Sequence, residues 1–326
     1  MTKQEILTML KACPDYISGQ TLCEHFQVSR TAVWKVMNQL KADGYHIESV
    51  PNKGYRLIRD TDIFSEAELT GAVKSKWAGC RVIYKKTTGS TNLDAAAAAA
   101  ELPHGAVIVA DEQTAGRGRR GRSWVSVPQG NIYFSLLLKP DFAPEYASMV
   151  TLVMALAVTK AMEKVIKLPV MIKWPNDIVI CGRKVCGILT ELRAEPDFIH
   201  HIVIGVGINV HQKEFSEEAL QYATSVDLET GGFVDRTELI TEVWAQFEEL
   251  YEIFTRTLDL SGLLEEYNAH LADLGQCVRI LDPKGEYTAL SGGINARGEL
   301  MVTKEDGSLE NVFAGEVSVR GIYGYI

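Results

Sequence analysis

The stretch from Val170 to Asn209 limits the possible fold more than any other. Val170-Met171-Ile172-Lys173 reads as a strand, Trp174-Pro175-Asn176-Asp177 as a bend, and Ile178 to Ile180 as resumed extended chain. Cys181-Gly182-Arg183 is then too short for a crossover before the next apolar run, Lys184 to Leu192, and Phe198 to Asn209 follows as another strand. Parallel neighbours need a connection of about a dozen residues or more, so these strands pair antiparallel and a purely doubly wound sheet is excluded. Pro175 keeps Trp174 out of the helical region, which presents Asn176 and Asp177 at a fixed place. Lys184 opens an otherwise apolar strand, where a partly desolvated ammonium requires an anionic partner. The glycines of Ile204-Gly205-Val206-Gly207-Ile208-Asn209 let a flat group come close to the backbone.

The second feature is Gly116-Arg117-Gly118-Arg119-Arg120-Gly121-Arg122, three glycines and four arginines in seven positions. Such a segment has high chain entropy and little area to bury, so it is expected to be a loop, mobile when empty. Guanidinium forks suit carboxylate or phosphate oxygens, and the glycines let main-chain N–H groups approach as well. A solvated basic turn or a nucleic-acid phosphate loop fits the same residues. A Walker loop does not, because no Gly-Lys-Ser/Thr follows.

Upstream, Ser65 opens a helix to about Lys76 and Val82 to Lys86 is a strand. Leu93-Asp94 and six alanines, 95–100, favour a helix to about Glu101. At its start Ser90, Thr91 and Asn92 are either ordinary caps or a neutral donor and acceptor cluster for an uncharged polar ligand head such as a ureido ring. Ala106 to Ala110 is a buried strand that delivers Glu112 and Gln113 to the arginine loop, and Trp124 closes that loop. Asn131 to Leu138 is a strand and Met149 to Ile166 a helix for the sheet. Residues 236–257 and 261–272 are amphipathic, with Trp244, Phe247, Tyr251 and Phe254 as core. His200 and His201 point to opposite strand faces and do not share a metal.

Residues 1–60 carry eight Lys and Arg against six Asp and Glu, a balance of +2, while the remainder stands at −11. A basic head on an acidic body fits a head that meets nucleic acid. Lys3 to Cys13 is a helix, Ser18 caps a second over Gly19 to Phe26, and Ser29 caps a third. Ala32, Val33, Val36, Met37 and Leu40 form its buried stripe, leaving Ser29, Arg30, Thr31 and Lys35 near the end that enters the major groove in a helix-turn-helix. Trp34 borders that face and has no assigned role. Tyr45 to Val50 pairs with Tyr55 to Ile58 across Pro51-Asn52-Lys53-Gly54, a wing carrying Lys53 and Arg56. Short strands over Gln276–Leu281, Tyr287–Ser291, Leu300–Thr303, Leu309–Phe313 and Glu316–Arg320 predict a small C-terminal barrel. No run reaches transmembrane length, the N-terminal residues lack a signal-peptide h-region, and Cys13, Cys23, Cys80, Cys181, Cys186 and Cys277 form no Cys-x-x-Cys pair and have no histidines at zinc spacing. A cytoplasmic protein with reduced thiols and no membrane contact is expected.

Taken together, the arginine loop, Lys173-Trp174-Pro175-Asn176-Asp177, Gly182-Arg183-Lys184-Val185-Cys186-Gly187-Ile188 and Gly205-Val206-Gly207-Ile208-Asn209 resemble the biotin protein ligase signature. With the winged helix in front, the chain resembles the bifunctional biotin ligase and biotin operon repressor family essentially from end to end. The resemblance implies a multidomain α+β protein: a winged helix-turn-helix over 1–61, a ligase domain over 62–272 built as a class II aminoacyl-tRNA synthetase-like mixed sheet with packed helices, and an SH3-like β-barrel over 273–326. It implies biotin contacts at Ser90, Thr91, Asn92, Gln113, Arg117, Gly118, Arg119 and Lys184, and ATP or adenylate contacts at Arg120, Arg122, Trp124, Asn176, Asn209 and Arg320. Arg119, Lys184 and Asp177 are then the catalytic candidates. Magnesium arrives with ATP, and Asp177 is a candidate to position it or to accept a proton. The implied partners are a biotin carboxyl carrier protein, operator DNA and a second copy of the chain once adenylate is bound. Cys186 stands where a small residue such as alanine is usual. A biotin sensor without catalysis and a lipoate ligase relative are the competing readings.

Overall fold

The computed structural model describes residues 2–42, 44–58, 62–282, 285–313, 318–321 and 325, without the side chains of residues 4, 282 and 318–321. The chain divides into two compact units, Met1–Gly71 and Ala72–Ile326.

In the first unit three helices, α1 (Lys3–Ala12), α2 (Gly19–Phe26) and α3 (Arg30–Ala42), precede the hairpin β1 (Ile47–Val50) and β2 (Gly54–Leu57). Both expected serine caps form: Ser18 Oγ accepts from the Thr21 N–H at 3.0 Å and Ser29 Oγ from the Ala32 N–H at 3.2 Å. Ile6, Leu10, Leu22, Val33, Met37 and Leu40 close one core with Ile47 and Leu57. The hairpin docks by a bridge from Tyr55 to Ile17. Gly54 makes this possible, since a Cβ there would lie 2.0 Å from the Ile17 carbonyl oxygen and φ is +113°. Trp34 is not core; it is 58% exposed. The short helix α4 (Glu66–Ala72) follows.

The second unit holds a seven-stranded sheet in the order β3-β4-β5-β9-β8-β7-β6. Its strands are β3 (Val82–Thr88), β4 (Val107–Gln113), β5 (Asn131–Leu138), β6 (Met171–Lys173), β7 (Asp177–Ile180), β8 (Arg183–Glu195) and β9 (Phe198–Asn209). β3 and β4 pair in parallel through α5 (Thr91–Ala97), and the other neighbours are antiparallel, as the short turns required. β5 is buried along its length. Its alternation sends Leu137 to α5, with Ala95 and Ala99, and Phe134 to the opposite face against Trp244 of α9 (Arg236–Thr257). α9 packs with α6 (Met149–Ile166). Three short helices, α7 (Glu217–Leu220), α8 (Val226–Thr230) and α10 (Leu264–Ala269), complete the set, and α7 and α8 had no sequence signal strong enough to read.

Three helices differ from expectation, α10 covering only Leu264–Ala269 of the expected 261–272. α4 stops at Ala72 instead of reaching Lys76, because the buried Glu248 carboxylate takes the N–H groups of Lys76, Trp77 and Ala78 at 2.8, 2.6 and 3.0 Å. α5 stops at Ala97 inside the alanine run, where 98–102 turn and Ala99 and Leu102 join the apolar cluster under α5. Packing outweighs alanine's propensity there. The C-terminal strands β10 (Cys277–Asp282), β11 (Gly285–Ile294), β12 (Leu300–Lys304), β13 (Leu309–Val312) and β14 (Ser318–Gly321) form an antiparallel sheet in the order β13-β12-β11-β10-β14. Buried Trp174 Nε1 donates to the Gly298 carbonyl at 3.1 Å, joining the β6–β7 bend to the β11–β12 turn.

Candidate active site

The site lies on the α5 face of the large sheet, where the start of α5, the end of β4 and the middle of β8 and β9 converge. Ser90 precedes α5 but its hydroxyl makes no cap bond, so the capping alternative is not what this side chain does. Instead Gln113 Oε1 accepts the Thr91 N–H at 2.9 Å and the Thr91 hydroxyl at 3.2 Å. The buried Ser135 hydroxyl donates to Asn92 Oδ1 at 2.5 Å and lies 2.8 Å from that of Thr91. Asn92 Nδ2 donates to the Leu189 carbonyl at 3.2 Å and to Glu191 Oε2 at 2.8 Å. Its amide is therefore committed to protein on every side, which makes it a strut for its neighbours.

The arginine loop folds back on itself. Gly118 N–H donates to the Arg122 carbonyl at 2.7 Å and Trp124 N–H to that of Gly116 at 2.9 Å, with a tight turn at Arg119–Gly121. Gly121 has φ of +72°, a conformation that glycine adopts without penalty. Arg117 reaches Glu191 Oε1 at 2.9 Å and Arg119 Nη1 donates to Asn176 Oδ1 at 2.9 Å, so two of its arginines face the sheet. Burial works against the Arg119 charge and Asp177 supports it.

The anionic partner that Lys184 required is Asp177, at 2.6 Å across the β7–β8 pair. Burial would raise the Asp177 carboxyl, but the Lys184 ammonium, the Tyr325 hydroxyl and Lys173 outweigh it and hold the group below the ordinary carboxylate range. Tyr325 donates to Asp177 Oδ2 at 2.5 Å, and its ring lies 3.3 Å beneath the Lys173 ammonium. Gly187 and Gly207 are register partners, and a Cβ on either would lie 2.7 Å from the Trp124 ring. The flat group expected on the glycines is thus the chain's own indole.

One cavity gathers all eight residues expected at biotin, together with Trp124 and Asn176. A second cavity of about 900 Å³ adjoins it through Lys184 and Trp124 and is lined by Arg122, Asp177, Asn209, Tyr222 and Tyr325 among others. Arg120 is exposed and lines neither. The Arg320 side chain lies outside the described residues. Cys186 is buried and burial pushes its thiol up. In the first unit Arg30, Thr31 and Lys35 share the exposed face of α3, whereas Arg56 pairs with Glu48 at 2.8 Å.

A neutral polar cluster, two inward arginines and an ion-paired lysine in one cavity can hold an uncharged ring at one end and a carboxylate beside a phosphate at the other. Residues 79–209 match the biotin/lipoate A/B protein ligase family, and residues 2–56 match an HTH domain. The chain is 34% identical over 322 residues to the bifunctional ligase/repressor BirA of Bacillus subtilis (strain 168), covering 98% of each chain. This chain belongs to the BirA family of bifunctional ligase/repressors. The BirA of Escherichia coli (strain K12) is 29% identical over 314 residues, with 96% of each covered. A solved biotin protein ligase from Aquifex aeolicus, in complex with biotin and ATP, superposes with a TM-score of 0.66 at 31% identity, over 74% of this chain and 99% of that one.

Within the BirA frame, three residues escaped the sequence reading: Ser135, Glu191 and Tyr325. Glu191 was within reach, because strand parity from Gly187 through Leu189 places it on the cavity face. Ser135 and Tyr325 meet the site only through long-range pairing and left no local signal. No helix among the described residues is long and apolar enough to cross a membrane.

Proposed function

We propose that the chain joins biotin to AMP, transfers it to a lysine of a biotin carboxyl carrier protein, and represses biotin genes by binding operator DNA when it carries the adenylate. The observation that carries this reading is the single cavity uniting Ser90, Thr91 and Gln113 with Arg119 and Lys184, in a chain headed by a helix-turn-helix.

Ser90, Thr91 and Gln113 meet the uncharged ring, and Arg117 with Gly118 covers it. The acid end then points to Lys184 and Arg119. In the first step a carboxylate oxygen bonds to the α-phosphorus and the bond to pyrophosphate breaks, its electron pair leaving with pyrophosphate. Two anions must meet for this, and Arg119 and Lys184 lower that barrier by roughly 3 kcal/mol per donor. In the second step the acceptor lysine's neutral amine bonds to the acyl carbon, AMP leaves with the electron pair of its bond to that carbon, and the amine's extra proton passes to solvent. Asp177, held ionised and engaged by Lys184, is a poor proton acceptor, which supports a holding role. Closure of residues 116–124 keeps water from the mixed anhydride.

Magnesium, when bound, neutralises phosphate charge. Among the described residues no cluster of three His, Cys, Asp or Glu could hold a metal ion, and both Asp177 oxygens are already engaged. With Asp177 so engaged, nucleotide phosphates would supply most of the ion's ligands. Arg122, Trp124 and Asn209 line the adenylate side, Asn176 stands in the first cavity beside Arg119, and Arg320 is a further phosphate contact, whereas Arg120 lies outside both cavities and is not carried over. Ser29, Arg30, Thr31, Lys35, Lys53 and Arg56 meet DNA. The central sheet is of the class II aminoacyl-tRNA synthetase type and the C-terminal sheet closes as an SH3-like barrel, with domain limits at 1–61, 62–272 and 273–326. Two copies pair on adenylate binding to span a two-fold operator. All six cysteines are free, which supports a reducing, cytoplasmic setting.

Biotin-dependent exchange of labelled pyrophosphate into ATP tests the catalytic half. Exchange with biotin and none with lipoate is expected. A folded sample without exchange would leave a sensor, and preference for lipoate would leave a lipoate ligase.

A further inference from the structure

The exposed face of α3 carries Arg30, Thr31, Trp34, Lys35 and Asn38, spaced as one helical stripe, while Val33, Met37 and Leu40 point inward. Four of these five residues are polar or charged. The fifth is a tryptophan that is 58% exposed, whereas Trp174 and Trp244 are buried to 1% and 0%. Among the described residues the core of the first unit closes without that indole. Exposure alone would be ordinary, but this ring sits on the α3 face of a helix-turn-helix, the face that meets DNA in that motif.

The partner's chemistry follows from the surroundings. Arg30 and Lys35 flank the ring with positive charge, and Arg30 is steadied by donating to Gln20 Oε1 at 3.1 Å. A polyanion is therefore the complement, and a helix of this width enters the DNA major groove. The base edges in that groove offer donors and acceptors and only one apolar group, the C5-methyl of thymine. We infer that Trp34 is a specificity-determining residue that reads a thymine methyl in the operator. The inference rests on the repressor reading above and adds to it a base and a contact atom. Arg30 and Lys35 hold phosphate or guanine edges, whereas the indole selects thymine over cytosine and over uracil, neither of which carries the methyl.

The test uses the full chain with biotin, ATP and magnesium, and a duplex that the wild-type protein has selected from a random pool. Each thymine in turn is replaced by deoxyuridine, which removes only the methyl. Wild-type affinity is expected to fall roughly four-fold at one thymine in each half-site, the transfer cost of about one methyl group. Trp34→Ala should bind the two duplexes equally while keeping the wild-type response at every other position. If Trp34→Ala binds too weakly to titrate, Trp34→Gln is judged by the same criterion. Indifference of the wild type to every deoxyuridine, or equal methyl sensitivity in the variant, overturns the inference and leaves DNA binding standing. Failure of the wild type to retain any duplex from the pool overturns the repressor reading and this inference with it.

Discussion

Glu191→Gln tests how the arginine loop is held. One oxygen of this carboxylate takes Arg117 at 2.9 Å and the other takes Asn92 Nδ2 at 2.8 Å. The amide keeps the shape and can still accept from Asn92, but it no longer attracts a guanidinium. The Arg117 and Glu191 side chains are 45% and 34% exposed, so water screens the pair. Its worth is that of a surface salt bridge, about 0.2–1 kcal/mol, and not the larger cost of breaking a buried one. Arg119 keeps its bond to Asn176 and Trp124 keeps its packing on Gly187 and Gly207, so the loop loses one anchor among several. The undocked fraction should rise about 1.4- to five-fold. Trypsin cuts after arginine, and the loop carries four, so its initial cleavage rate in the ligand-free protein reads that fraction. The variant should be cut about 1.4- to five-fold faster, and about 0.5 M salt should bring the wild type close to it by screening the pair. Cleavage that is unchanged, or faster by more than about fifty-fold, would refute the reasoning that a screened pair sets the loop's position.

Asp177→Asn removes the counter-ion of Lys184 and should lower the maximal rate of pyrophosphate exchange on the order of a hundred-fold, with smaller changes in the biotin KM. Because the folded Asp177 carboxyl sits below its ordinary range, its stabilisation is present above about pH 4 and is lost as pH falls through the depressed value. Melting curves between about pH 3 and 5 should therefore be flatter for the variant than for the wild type. Asp273 behaves oppositely: burial pushes its carboxyl up to about 6, and among the described residues no other side chain or backbone group donates to either oxygen. The raised value means that its contribution is favourable below about pH 4 and is lost as pH rises through 6, at a cost of up to about 3 kcal/mol. Asp273→Asn should therefore raise the melting temperature at pH 8 and leave it unchanged near pH 3.5, as differential scanning fluorimetry would read. Gly207→Ala would put a Cβ 2.7 Å from the Trp124 ring, so tryptophan fluorescence should shift and biotin affinity should fall about ten-fold by isothermal titration.

Much of the site could be read from residue chemistry because its demands are local. A lysine entering an apolar strand needs an anion, and Asp177 supplies it one strand away. Short turns force antiparallel pairing, so the order β9-β8-β7-β6 followed from connection length. Glycines on neighbouring strands announce a flat neighbour, although not that it is Trp124. What could not be read depends on distant pairing. Ser135 reaches Thr91 only once β5 lies beside β4, and Tyr325 reaches Asp177 from far along the chain. The alanine run misled for the opposite reason: its local propensity is strong, and tertiary packing ends the helix early all the same.

The account turns on residues 116–124 closing over biotin while its carboxylate is joined to AMP. Amide hydrogen exchange across that segment, measured without ligand and again with biotin, ATP and magnesium, addresses this directly. Exchange at Gly118 and Arg119 should slow by at least about ten-fold as adenylate accumulates, and Arg119→Ala should lose both the protection and the adenylate. Adenylate forming at full rate while those amides exchange as fast as in the empty protein would contradict it.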